Sequence, residues 1–156
     1  MSGIVIAQRF CGPPSSGNGG YCAGLLARDV PGPATAVLKA RIPLDTPLDL
    51  DGDALRQVLT GGGGEVIGEG APASAAALLE VPPPPTWDTA LAAEAQHIGI
   101  GQRFHPICFS CGPERGEGDG LRVFAGQLDG EPEGCLACTG RPTPTSRTPR
   151  AGSPPK

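Results

Sequence analysis

Apolar and polar positions are arranged differently along the two ends of this chain. Ile4 to Phe10 is an apolar stretch suited to a strand, and Gly12-Pro13-Pro14 after it must turn. From Tyr21 to Arg28, Leu, Ala, Cys and Tyr cover most of a helical turn instead of one stripe, which predicts a helix buried nearly all round. Asn18 is a favourable cap for it, Gly19-Gly20 let its start approach another group closely, and Pro31 and Pro33 stop it.

Thr35 to Ile42 alternates as a strand does, and Leu48-Asp49-Leu50 is expected to extend it past Pro47. Asp51-Gly52 is a hairpin-type pair, Ala54 to Thr60 reads as a strand, Gly61 to Gly64 turns, and Glu65 to Glu69 reads as the returning strand. Strand, helix and then a meander give an α+β class, an antiparallel sheet curled around one central helix.

Ala71 to Leu79 is Ala-rich and ambiguous between helix and strand, and Pro82 to Pro85 reads as an extended linker. Thr86 caps an expected helix from Trp87 to Gln96, packing through Trp87 and Leu91. Leu121 to Phe124 reads as a short strand in the start of a second unit. Thr139 to Lys156 holds five Pro, six Ser or Thr and four basic residues, with no acidic residue and Ala151 as its sole aliphatic side chain. It cannot bury enough apolar area to offset its ordering entropy. The expected organisation is therefore a first unit over 1–80, a linker, helix and start of a second unit over 81–130, and a disordered tail over 131–156. The abrupt change of composition is read as a frameshifted or mis-predicted coding end, against a genuine disordered tail as the alternative.

Composition narrows the chemistry. The 156 residues include 25 Gly and 19 Pro but six aromatic residues in all, so a large aromatic core is excluded. The net charge of −4 and the lack of a basic stripe beside aromatics argue against a nucleic-acid partner. No apolar run approaches the roughly 18 residues needed to span a bilayer, and the N-terminus lacks the pattern of an export signal. A cytoplasmic protein with no membrane partner is expected, and in that reducing compartment the six cysteines read as free thiols or a metal site.

Gly12-Pro13-Pro14-Ser15-Ser16-Gly17-Asn18-Gly19-Gly20-Tyr21-Cys22-Ala23-Gly24-Leu25-Leu26-Ala27 resembles the start of the central helix in hotdog-fold thioesterase-like proteins. His105-Pro106-Ile107-Cys108-Phe109-Ser110-Cys111-Gly112-Pro113, followed by Gly118-Asp119-Gly120-Leu121-Arg122-Val123-Phe124, resembles the inter-repeat segment of the tandem-hotdog, acyl-CoA thioesterase-like subgroup. Together these blocks cover residues 1 to about 128. The resemblance implies hydrolysis of an acyl-CoA or related thioester without a cofactor, in a possible homo-oligomer, with Gly19, Gly20 and Tyr21 polarising the thioester carbonyl through backbone N–H groups. It also implies a second central helix, which this sequence does not contain, so activity is expected to be impaired. The catalytic carboxylate stays unassigned. Asp29, the nearest in sequence, reads more simply as a solvated helix-terminal residue. A non-catalytic acyl- or CoA-binding module is the alternative.

Rival motifs are weaker. Cys108-x-x-Cys111 and Cys135-x-x-Cys138 could hold Zn²⁺ through four thiolates, although the 23 intervening residues are long for a zinc ribbon. A Cys108–His105 nucleophile lacks an orienting third group, and Gly112-Pro113 argues against a thioredoxin-like helix after Cys111. Asp49, Asp51 and Asp53 fail as a calcium loop, because Ala54 and Thr60 stand where glycine and a bidentate acid are required. No P-loop ending and no Gly-x-Ser-x-Gly elbow occurs. Cys11 and Cys22 are small packing residues.

Overall fold

The computed structural model describes residues 2–74 and 82–140. The chain divides into two compact units, Met1–Pro84 and Pro85–Lys156. No helix among the described residues is long and apolar enough to cross a membrane.

The first unit is an α+β layer: strand β1 (Ser2–Val5), helix α1 (Gly19–Ala27), then strands β2 (Ala34–Leu38), β3 (Pro47–Gly52), β4 (Gln57–Thr60) and β5 (Val66–Pro72). The five strands form one antiparallel sheet in the order β1-β3-β4-β5-β2, with α1 packed on β2, β4 and β5. Alternation sets the inner face. Leu48 and Leu50 of β3 and Leu59 of β4 point inward, and Asp49 points out. With Ile6, Cys22, Leu26, Ile42 and Ile67 they form the core, and Leu50 sits directly opposite Leu59. Burial of such side chains is the main force holding helix to sheet, at roughly 1.5–3 kcal/mol each.

Close approach sets the depth of that packing. A Cβ at Gly70 would run into the Leu26 carbonyl, whose carbon lies 2.9 Å away, so the helix can rest this near β5 only over glycine.

Several elements differ from the sequence expectation. The stretch Ile4 to Phe10 is a strand only as far as Val5; Gln8–Phe10 is a single 3-10 turn, stabilised as Gln8 N–H donates to Asp45 Oδ1 at 3.0 Å. An apolar run alone cannot distinguish these shapes. Leu48 to Leu50 does not extend β2. Lys39 and Ala40 N–H both donate to Ile67 O, ending β2 at the sheet edge, and the chain then crosses to place β3 between β1 and β4. Strand β4 begins at Gln57 because Asp53 Oδ1 accepts the Leu55 and Arg56 amides and makes residues 53–56 a turn. In α1, Cys22 and Leu26 are buried but Gly20 and Gly24 are exposed, so the helix is not covered on every side.

The second unit holds helix α2 (Trp87–Glu94), short helix α3 (Ile98–Gln102) and a two-stranded ribbon of β6 (Gly126–Gln127) and β7 (Leu136–Ala137). Thr86 caps α2 as expected, its hydroxyl accepting Thr89 N–H at 3.3 Å. The buried face is Ala90 and Ala93, whereas Trp87 and Leu91 are 48% and 47% exposed. Gly126 lies against the Ala93 carbonyl, so β6 approaches the α2 backbone where only a glycine fits. Leu121 to Phe124 is not a strand; Leu121 N–H and Val123 N–H are held by the carbonyls of Phe109 and Ser110. Residues 131–140 of the expected tail include β7 and the buried Thr139, while 141–156 and 75–81, which take in residues 75–79 of the Ala-rich stretch, lie outside the described residues.

Candidate functional site

The start of α1 is a built platform. Gly12 N–H donates to Ser16 O (2.9 Å), Gly17 N–H to Ile42 O (2.9 Å) and Asn18 N–H to Phe10 O (2.7 Å), fixing the loop on both sides. Arg41 adds two donations to Ser15 O, at 2.9 and 2.6 Å. Extended backbone at Asn18 then opens the helix, and its Oδ1 accepts Tyr21 N–H at 3.0 Å.

This arrangement sorts the three expected donors. Tyr21 N–H is committed to the cap, whereas Gly19 and Gly20 N–H meet no acceptor among the described residues. They are the first two amides of a nine-residue helix, where the positive end of the backbone dipole is felt. Gly20 is exposed and Gly19 half-buried, so both can be approached from solvent. A Cβ placed on Gly19 would lie 3.2 Å from Leu38 Cδ1, which puts an apolar wall from edge strand β2 beside the donors. Tyr21 contributes its ring instead, stacked on Phe10 with centroids 4.1 Å apart.

The carboxylates are placed unevenly. Asp29 lies beyond the opposite end of α1, roughly 15 Å from Gly19 by helical rise, so it cannot meet a carbonyl held by the glycine amides. There it pairs with Arg28 at 2.8 Å, and that hydrogen bond holds its carboxyl below the ordinary value. The neighbouring cleft of about 310 Å³, rimmed by Asp29, Asp51 and Asp53, also belongs to that far end. Asp45 escaped the sequence reading. It follows the segment whose Ile42 pairs with Gly17, and its φ of 49° and its bond from Gln8 N–H fix it on the helix-start side. The available signal was Leu44-Asp45-Thr46-Pro47, where Asp tolerates the left-handed conformation of a turn.

No protein-family model, curated protein or solved structure matches this chain.

In the second unit the two Cys-x-x-Cys pairs fold differently. Gly112 N–H donates to Cys108 O at 2.8 Å, closing a helical turn that holds Cys108 and Cys111. Burial, then the neighbouring Cys108 side chain, pushes the Cys111 thiol up to about 11. Cys135 and Cys138 flank strand β7, where three residues of extended chain span about 10 Å. The four thiols do not converge: among the described residues no group of three or more His, Cys, Asp or Glu could hold a metal ion. The four cysteines of the zinc-module alternative thus lie on two differently shaped segments. His105 meets Cys108 through its backbone carbonyl, which accepts Cys108 N–H at 3.1 Å.

Other polar groups in this unit serve architecture. Arg115, 8% exposed, donates to Ile107 O at 2.7 Å, to Asp119 O at 3.0 Å and to Asp119 Oδ2 at 3.2 Å. Glu94 accepts the backbone amide of Thr139 at 3.0 Å and also its hydroxyl, tying residue 139 to α2.

Proposed function

We propose that the first unit is a hotdog-type module that binds an acyl-CoA or related acyl-thioester, with the thioester carbonyl oxygen received by the N–H groups of Gly19 and Gly20. The observation that carries this reading is the pair of acceptor-free, approachable amides at the start of α1, beside the apolar Leu38. Such donors stabilise an oxygen as it gains negative charge during attack on the carbonyl. A helix placed between the first two strands and laid on an antiparallel sheet supports the hotdog assignment.

In this reading the protein is a thioesterase-like hydrolase of the cytoplasm. The donors lie beside an edge strand, and a second copy along β2 would enclose the acyl chain. A non-catalytic acyl- or CoA-binding module is the second reading, favoured by the position of Asp29 at the wrong end of α1.

A panel of acyl-CoA substrates tests both. Turnover above the uncatalysed rate supports the hydrolase. Thermal stabilisation by acyl-CoA without turnover supports the binding module, since a ligand that binds only the native state raises its stability. Absence of both turnover and stabilisation would refute the proposal.

A further inference from the structure

Two cysteine pairs with identical spacing lie in one unit, and backbone shape separates them. In the turn closed by Gly112 N–H on Cys108 O, residues three apart lie within about 7 Å, inside the range a disulfide can bridge. Across β7 the same spacing is extended to about 10 Å, outside that range. The turn is also well fixed. His105 O accepts Cys108 N–H at 3.1 Å, Pro106 O accepts Glu114 N–H at 3.0 Å, and Gly112 leaves no room for a Cβ, which would stand 2.5 Å from Cys108 N. The closed turn brings the two side chains to the same side of the segment, and Cys108 is among the groups that raise the Cys111 thiol. None of the six cysteines is in a disulfide.

We propose that Cys108 and Cys111 form a reversible dithiol–disulfide pair that closes by exchange with a low-molecular-weight disulfide, for which glutathione disulfide is the probe. Cys111, the more accessible of the two, attacks through its small thiolate fraction on one glutathione sulfur and expels a glutathione thiolate, so closure is slow near neutrality and quickens as pH rises. Cys108 then attacks the Cys111 sulfur of this mixed disulfide and expels the second glutathione. One S–S bond is broken and one is formed. Two cysteine thiols are oxidised, glutathione disulfide is reduced to two thiols, and the two cysteine protons end on the released thiolates. Burial of Cys108 beside Cys111 favours the second step over escape of the mixed disulfide.

Closing the ring braces the segment that the turn organises. Phe109 O and Ser110 O hold Leu121 N–H at 2.9 Å and Val123 N–H at 2.8 Å, so oxidation slows hydrogen exchange at those two amides.

The full chain is equilibrated over a series of reduced-to-oxidised glutathione ratios, alkylated and mapped by mass spectrometry. The expected result is joint loss of two thiols, a peptide link between Cys108 and Cys111, and a mass lower by two hydrogens with no glutathione attached. A Cys135→Ser, Cys138→Ser double variant behaves alike, and Cys108→Ser retains glutathione on Cys111. The wild-type peptide map decides the matter if Cys108→Ser does not fold. Closure of Cys135–Cys138 at the same or a less oxidising ratio overturns the proposal. So does a lasting glutathione adduct on wild-type Cys111, or full resistance of the pair to oxidation.

Discussion

Asn18 Oδ1 accepts the Tyr21 amide at 3.0 Å from a side chain that is 7% exposed, and this one contact both starts α1 and removes Tyr21 from the set of free donors. Replacing Asn18 by Ala removes the side-chain acceptor of that amide. The expected cost is about 1 kcal/mol, within the 0.5–2 range for lost helix caps, read as a lower urea midpoint with an unchanged slope. Asn18→Ser should recover part of it, since a hydroxyl can accept the same bond.

Gly70 tests how closely α1 must approach the sheet. Gly70→Ala sets a methyl against the backbone of Leu26, which cannot swing aside as a side chain could. A loss of about 1–3 kcal/mol is expected from this overpacking. Gly62→Ala is the control, because a Cβ there has nothing within 4 Å, and it should leave stability within about 0.5 kcal/mol of wild type.

Glu69 supplies a pH dependence. Hydrogen bonds from Lys39 and then Arg56, both at 2.8 Å, hold its carboxyl below the ordinary value. A group with a lowered native pKa contributes stability that is fully present above its unfolded value, about 4.3, and is lost as pH falls through the native one. The difference in thermal midpoint between wild type and Glu69→Gln should therefore be constant near neutrality and shrink below about pH 4.3. Added salt should reduce it at neutral pH.

Arg115 is the polar anchor of the second unit. Arg115→Met removes a donor from the Ile107 carbonyl and breaks two contacts to Asp119. A loss of about 1–3 kcal/mol is expected, seen as faster hydrogen exchange at Leu121 and Val123. Arg115→Lys should not restore it, because an ammonium lacks the planar fork that reaches several acceptors.

Parts of this architecture are legible in the sequence for identifiable reasons. Asn18 announces α1 because capping is local chemistry, and Leu48-Asp49-Leu50 announces an inward, outward, inward strand because the period is two. The partner of that strand is not legible. Alternation continues from Thr35 past Leu38 to Ile42, and only the long-range bonds from Lys39 and Ala40 to Ile67 show that β2 has ended. The cysteine pairs make the same point, since identical spacing becomes a turn beside Pro106 and Gly112 but an extended segment through Leu136 and Ala137. At the candidate site the glycine amides were visible from the helix start, whereas Asp45 was brought to that side by contacts to Gln8 and Ile6 from distant sequence.

The most direct test of the central claim removes one proposed donor while sparing the fold. Gly19 is the first residue of α1, where proline is tolerated, and Asn18 before it has the extended backbone (φ −69°, ψ 127°) that proline demands. Gly19→Pro deletes the N–H, and the one neighbour that its Cβ would meet is the end of the Leu38 side chain. The measurement is thermal stabilisation by a non-hydrolysable acyl-CoA analogue, with the unliganded variant near the wild-type midpoint. Acyl-thioester capture by the glycine amides predicts clear stabilisation of wild type and a much smaller shift for Gly19→Pro. Equal shifts in both proteins, or none in wild type, would contradict it.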